Sequence, residues 1–276
     1  MKRFDARITS LKAISDDYYE LRFAWPAALR RPEPGAFMTV RAGGAYDPVL
    51  RRPFAFSDFR GADPDAADPG SNRSAGDGGG AEAAFIFQRR GRGTAYLAGL
   101  RAGEPLDVLG PLGKGFTPPP RGSRPVLLAG GIGLGPMLYL AARLADEASA
   151  GGFEAPILAL GFRTKDYIPR VGLPPGAVVC TDDGSAGFAG SAVDWLWGFD
   201  PGAPPALYAC GPAAMMAAAE LYAAARGAPY QAATEQWMAC GVGACAGCAV
   251  RLKDGSFRRA CADGPVFDGR LVDWGA

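Results

Sequence analysis

The sequence predicts a multidomain α and β protein: an N-terminal antiparallel β-barrel, an α/β domain built on a parallel sheet, and a small C-terminal unit organised by cysteines. Residues 4 to about 116 fall into short β segments of near-even spacing, each bounded by Gly, Pro or Asp. After Pro118-Pro119-Pro120 strands alternate with helices, the mark of a parallel, doubly wound sheet. From about Tyr230 the remaining tail is too short to build a good core alone, and it carries Cys240, Cys245, Cys248 and Cys261. The expected division is 1–118, 119–229 and 230–276.

In the first unit strands are expected at Ala6–Ile14, Tyr18–Ala24, Phe37–Arg41, Phe54–Asp58, Ala84–Gln88 and Pro105–Leu109, with a helix-like stretch at Ala95–Leu100. Between the fourth and fifth strands, Gly61–Ala81 reads as a long hairpin loop of Asp, Gly, Ser, Asn and Pro. In the second unit the expected order is strand Pro125–Ala129, helix Pro136–Ala148, strands Ile157–Gly161 and Ala177–Cys180, helix Ser191–Trp197, strand Ala206–Ala209 and helix Pro212–Ala225. Gly135-Pro136 and Gly211-Pro212 each place a proline where a helix begins, where its missing N–H costs nothing.

Composition excludes much chemistry. The 276 residues contain no His, which removes Ser-His-Asp and Cys-His catalysis, HExxH zinc sites and imidazole-ligated haem or Rieske centres. Net charge is +1 with no basic stripe, so nucleic acid is not an expected partner. Met1–Arg7 has no apolar run behind its charges, and the longest uncharged runs, Val126–Ala142 and Pro201–Ala219, are broken by Gly and Pro. Neither a signal peptide nor a membrane span is expected. Three of six cysteines fall within Cys240–Cys248, which suits a metal cluster in a reducing cytoplasm better than a disulfide framework.

Three motifs carry chemistry. Cys240, Cys245 and Cys248 form a C-x4-C-x2-C run followed by Cys261, with Gly241, Gly243 and Gly247 between the first three thiols. This is the spacing of loops that wrap a [2Fe–2S] cluster, where backbone N–H groups approach sulfur closely. The alternative is a structural zinc site, which more often shows two separate CxxC pairs. Second, Leu127–Pro136 runs from strand through Gly130, Gly131, Gly133 and Gly135 into a helix at Pro136, a turn that lets a pyrophosphate sit on backbone amides. Cys210-Gly211-Pro212 repeats the junction where a nicotinamide would lie. The plainer readings are a tight strand–helix connection and a thiol that only packs. Third, Arg51–Ser57 and Gln88–Thr94 set an Arg, aromatics and a Gly-Thr pair on the barrel. There they can meet a diphosphate and an isoalloxazine, or they can be a solvated strand end.

In this order, and together with Gly110–Phe116, Thr181–Ser185, Met238–Cys245 and Cys261–Phe267, the motifs resemble the electron-transfer subunits of NAD-dependent dihydroorotate dehydrogenase, a branch of the ferredoxin reductase superfamily, over nearly the whole chain. The resemblance implies FAD contacts at Arg52, Pro53, Phe54, Ala55, Phe87, Gln88, Gly93 and Thr94. It implies NAD contacts at Gly130, Gly131, Gly133, Gly135, Pro136, Cys210, Gly211 and Pro212, and a cluster on Cys240, Cys245, Cys248 and Cys261. Ala55 departs from the family, which usually has Ser or Thr there, so no hydroxyl contact to flavin is expected at that position. The implied partner is an FMN-containing dihydroorotate dehydrogenase catalytic subunit, in a heterotetramer of two of each chain, serving pyrimidine biosynthesis. No residue is expected to act as a catalytic acid or base. Two other readings stay open: the same architecture in another complex, such as a sulfide dehydrogenase or ferredoxin:NADP reductase subunit, and a zinc-stabilised interaction protein. Arg163 and Lys165 could meet the 2′-phosphate of NADP or form a solvated loop, and the resemblance favours NAD.

Overall fold

A computed structural model of the chain describes residues 1–44, 48–61, 80–148, 150 and 152–275, and the loop expected at 61–81 lies almost wholly outside them. The N-terminal strands are β1 (Lys2–Ala13), β2 (Tyr18–Ala24), β3 (Phe37–Val40), β4 (Arg52–Ala55), β5 (Asp58–Arg60), β6 (Glu82–Gln88) and β7 (Pro105–Leu112), with the short helix α1 (Arg92–Ala98) after β6. They form one antiparallel sheet in the order β4-β3-β7-β1-β2-β6-β5. Alternation sets the inward face: Leu106, Val108 and Leu112 of β7 and Ala6 and Ile8 of β1 are buried.

The stretch expected as one strand, Phe54–Asp58, is two. β4 and β5 occupy opposite edges of the sheet although only Phe56 and Ser57 separate them, so the sheet curls until its edges meet. The break follows from bonding: β4 ladders onto β3, whereas the Ser57 N–H already donates to Ala84 O on β6. Inside the curl Phe54 stacks on Phe85 with centroids 4.6 Å apart, and Trp25 meets Phe4, Phe56 and Phe59 edge-on.

The second sheet runs β11 (Phe188–Ala189), β10 (Val178–Thr181), β9 (Ile157–Phe162), β8 (Arg124–Gly130), β12 (Pro205–Cys210), β13 (Tyr230–Ala233) and β16 (Val266–Asp268), parallel except for the last pair. Helices α2 (Leu134–Ala148), α3 (Ala192–Gly198) and α4 (Ala213–Arg226) cover it. β8 and β12 are adjacent, and the chain leaves them in opposite directions. Their carboxyl ends therefore bound the crevice where ligands of doubly wound sheets bind.

β13 and β16 belong to this sheet although both follow residue 229, so the tail is stitched to the sheet at both ends. Between them lies a hairpin of β14 (Ala249–Arg251) and β15 (Phe257–Arg259). The tail's small core of Cys248, Val250, Ala260, Cys261 and Val272 is completed by Phe37 and Leu112 of the barrel, which answers its lack of apolar residues. Among the described residues no helix is long and apolar enough to cross a membrane.

Candidate functional site

Three groups of expected residues lie where the units meet. On the barrel, Arg51 is occupied structurally: its Nη2 donates to Asp107 Oδ1 at 2.6 Å and its Nη1 to Asp107 O at 3.1 Å. Arg52 is held differently, with Nη1 on Leu50 O, and its stem lies so close to Gly93 that a Cβ there would stand 3.2 Å from Arg52 Nε. Residues far apart in sequence thus bring a guanidinium to the start of α1, where the Gly93 and Thr94 N–H groups have no helical acceptor. The Thr94 hydroxyl closes the turn, accepting from Arg90 N and Gly91 N, so its backbone N–H is what it can offer a ligand.

Among the described residues the seam between β4 and the C-terminal half of β6 carries no ladder bonds: β4 pairs with β3, and β5 pairs with β6 as far as Ala84. Pro53 and Ala55 lie along one side and Phe87 and Gln88 along the other. Phe54 and the buried Phe87 turn their rings into the core, leaving backbone at the seam. A flat ring with a polar edge fits such an unpaired seam. Gln88 Oε1 accepts from Arg90 Nε at 2.6 Å.

At the crevice the glycines meet each other. A Cβ on Gly133 would lie 2.0 Å from Cys210 O, one on Gly130 2.6 Å from Pro212 Cδ, and one on Gly211 2.9 Å from Gly130 N. Gly130, Gly133 and Gly211 are therefore required for backbone-to-backbone packing of the two junctions. A side chain at Gly133 would meet the end of β12 before it reached open space. Gly131, in the left-handed region at φ +52°, is the one with room, its nearest neighbour being Tyr18 Oη at 3.8 Å. Gly135 faces the barrel, a Cβ there standing 3.4 Å from Ser57 Cβ. Pro136 lies in the third residue of α2, still among the positions whose N–H has no helical acceptor, and Pro212 caps α4. Cys210 keeps its proton, since burial first and then Glu235 push its thiol up to about 12.

Sequence reasoning passed over two features. Ser57 lies beyond the end of β4, its N–H donating to Ala84 O on β6. It sits buried at the seam between barrel and α2, its hydroxyl without a partner among the described residues. The loop after β10 is tied to the loop after β9 through Asp182 N to Phe162 O, Asp183 N to Arg163 O and Lys165 N to Ser185 Oγ, which sets Arg163 and Lys165 beside two acidic residues. The Thr181–Ser185 motif was the available signal.

The cysteine loop turns its amides inward through left-handed Gly241, Gly243 and Ala246. Val242 N donates to Cys240 Sγ at 3.4 Å and Gly243 N to Cys261 Sγ at 3.1 Å. Amide donation, from Val242 foremost, brings the Cys240 thiol down to about 6, while burial pushes Cys261 up to about 11. Cys248 Sγ and Cys261 Sγ are 3.2 Å apart. Four thiols, two of them already 3.2 Å apart, together with backbone amides turned toward sulfur, are a donor set that fits a [2Fe–2S] cluster. The loop rests on the barrel, where a Cβ on Gly241 would lie 2.9 Å from Thr39 Cγ2 on β3, the strand beside β4.

Residues 235–273 match the family model described as the iron–sulfur cluster binding domain of dihydroorotate dehydrogenase B. The whole chain is 33% identical over 281 residues to a dihydroorotate dehydrogenase B (NAD(+)) electron transfer subunit of Desulforamulus reducens, covering 99% of each. It is 34% identical to that of Geobacillus thermodenitrificans, covering 94% of each. Among solved structures, the NADH-dependent reduced ferredoxin-NADP oxidoreductase studied for flavin-based electron bifurcation superposes with a TM-score of 0.76 at 25% identity, over 98% of this chain and 90% of that one. Phthalate dioxygenase reductase shares the fold, with a TM-score of 0.58 at 16% identity over 91% and 87%. With two near-full-length relatives above 30% identity and the iron–sulfur domain model matching residues 235–273, the chain belongs to the family of dihydroorotate dehydrogenase B (NAD(+)) electron transfer subunits.

Proposed function

We infer that the chain is a flavin and iron–sulfur oxidoreductase subunit that passes electrons from a dihydroorotate dehydrogenase catalytic subunit to NAD+. The observation that carries this is the seating of the cysteine loop on β3, beside the strand with the open seam, so that the cluster loop lies against the same barrel sheet that holds the flavin strand. Bound FAD supplies the exchange between single electrons and a hydride that neither a cluster nor a nicotinamide performs alone. The chain's own residues orient and enclose. Arg52, Gly93 and Thr94 would hold the diphosphate, and Pro53, Phe54, Ala55, Phe87 and Gln88 would line the ring. Gly130, Gly131, Gly133, Gly135, Pro136, Cys210, Gly211 and Pro212 would shape the NAD crevice, and Cys240, Cys245, Cys248 and Cys261 would bind the cluster. No side chain needs to move a proton.

The division 1–118, 119–229 and 230–276 is proposed as flavin, nucleotide and cluster units, the last lending a strand at each end to the nucleotide sheet. The catalytic partner carries FMN in a heterotetramer of two of each chain, in the cytoplasm. Mixing the purified chain with that subunit and following NAD reduction by dihydroorotate tests the reading. The mixture turns over and neither chain does alone, whereas dihydroorotate oxidation by this chain alone overturns it.

A further inference from the structure

Resting on that reading, we propose that Tyr18 of the barrel is a binding residue for the dinucleotide, its phenol donating a hydrogen bond to the diphosphate that the Gly131 turn receives from the other side. Gly131 is the glycine of its turn with room beside it, and the nearest atom to a Cβ built there is Tyr18 Oη, at 3.8 Å. The first amides of the turn Gly131–Gly133 have no helical acceptor and stand at the head of α2, so an anion is drawn to them. Tyr18 is only 4% exposed, and its hydroxyl has no hydrogen-bond partner among the described residues, where only its backbone N–H is bonded, to Ser15 Oγ. Other buried tyrosines end on a carbonyl: Tyr139 on Pro32 O, Tyr208 on Thr117 O and Tyr230 on Met216 O. Tyr222 Oη is unbonded but sealed inside, whereas Tyr18 Oη is not sealed. A buried ring whose hydroxyl alone meets open space, opposite a row of free amides, is a donor without its acceptor.

The surroundings suit a diphosphate. Burial raises the phenol above its ordinary value, against the opposing pull of Arg90, so it stays protonated and donates. Arg90 adds positive charge at the same corner, and Tyr167, from the loop after β9, is a further neighbour. Asp17 is the one carboxylate that acts on Tyr18, and it is paired with Arg89 at 3.7 Å. The position is also set before a ligand arrives. Ile14 N donates to Tyr18 O at 2.8 Å, closing the turn, and Arg170 N of the nucleotide unit donates to Ile14 O at 2.6 Å. The barrel turn that carries Tyr18 is thereby clipped to the unit that carries Gly131, and the two sides of the anion site keep a set spacing.

The test uses the full chain holding FAD and the cluster. ADP-ribose probes the diphosphate site, and reduced nicotinamide riboside, which carries no phosphate, serves as the comparison hydride donor to NADH. Tyr18→Phe keeps the packed ring and removes the donor. At matched flavin and iron content it is expected to weaken ADP-ribose binding about tenfold in calorimetric titration, the size of one lost hydrogen bond to a charged group. KM for NADH should rise by a similar factor at constant kcat, the mark of lost uniform binding. The ratio of kcat/KM for NADH to that for the riboside should fall about tenfold. Tyr18→Phe that binds ADP-ribose as tightly as wild type overturns the proposal and leaves the nucleotide site standing. An unchanged ratio, with both donors losing equally, assigns the hydroxyl to structure and also overturns it. Wild type that binds neither ADP-ribose nor NADH overturns the reading beneath.

Discussion

At the scale of single residues, the same side-chain type is put to unlike uses by its surroundings. Cys180 is fully buried in the second sheet, and burial pushes its thiol up to about 11, so it stays a packed thiol. Cys245 is exposed in the loop that carries Cys240. Cys245→Ser is therefore expected to lose the iron–sulfur absorption and most of the iron, whereas Cys180→Ala keeps both; equal iron in the two would remove the cluster assignment. The two adjacent arginines diverge likewise. Asp107 receives Arg51 at 2.6 Å and Arg3 at 3.0 Å; burial raises its carboxyl, but these hydrogen bonds outweigh it and hold it below the ordinary carboxylate range. A carboxyl depressed on folding gives its full stabilisation above about pH 4 and loses it as pH falls through the folded value. Asp107→Asn should cost about 1–3 kcal/mol at neutral pH, and less at pH 3, in urea unfolding. A deficit independent of pH would refute that account. That Arg51 braces the barrel while Arg52 turns to Gly93 was not legible, because the partners lie about forty or more positions away in the chain.

Among the elements, the glycine-rich turn was legible as a turn and its reason was not. Gly133 carries no Cβ because the carbonyl of Cys210, on a strand reached only after β9, β10 and β11, occupies that space. Gly133→Ala is expected to lower stability by at least about 1–3 kcal/mol even without nucleotide. Gly131→Ala should cost only about 1–2 kcal/mol of left-handed strain. Thermal unfolding of the two variants without NAD checks the order, and the reverse ranking would restore a purely ligand-facing role to Gly133. The tail separates in the same way. Iron removal should free the amides of 240–247 to hydrogen exchange while Tyr230–Ala233 stays protected, since β13 is bonded to β12 and β16 without help from the cysteines.

For the whole molecule, the barrel seam, the glycine crevice and the thiol loop adjoin, so the chain with FAD should pass electrons from NADH to an artificial acceptor without any partner. Absence of that activity in a chain retaining flavin and iron would show that the nucleotide site needs the complex. What the sequence determined by itself is whatever one short segment encodes: the thiol spacing from Cys240 to Cys248, the strand-to-glycine-to-helix turns, the short, evenly spaced strands of the barrel and the loss of imidazole chemistry with zero histidines. A local pattern carries its own geometry, since turn glycines and loop thiols act within a few residues of one another. The tertiary structure decided the rest: that β4 and β5 stand at opposite edges, that the Cys248 and Cys261 thiols meet under Phe37 and Leu112, that Thr39 supports Gly241, and that Trp237 stands exposed. Each is a contact, or the lack of one, between segments far apart in the chain, fixed only when the sheets curl and the tail closes over the barrel, and no propensity within a window of residues contains it.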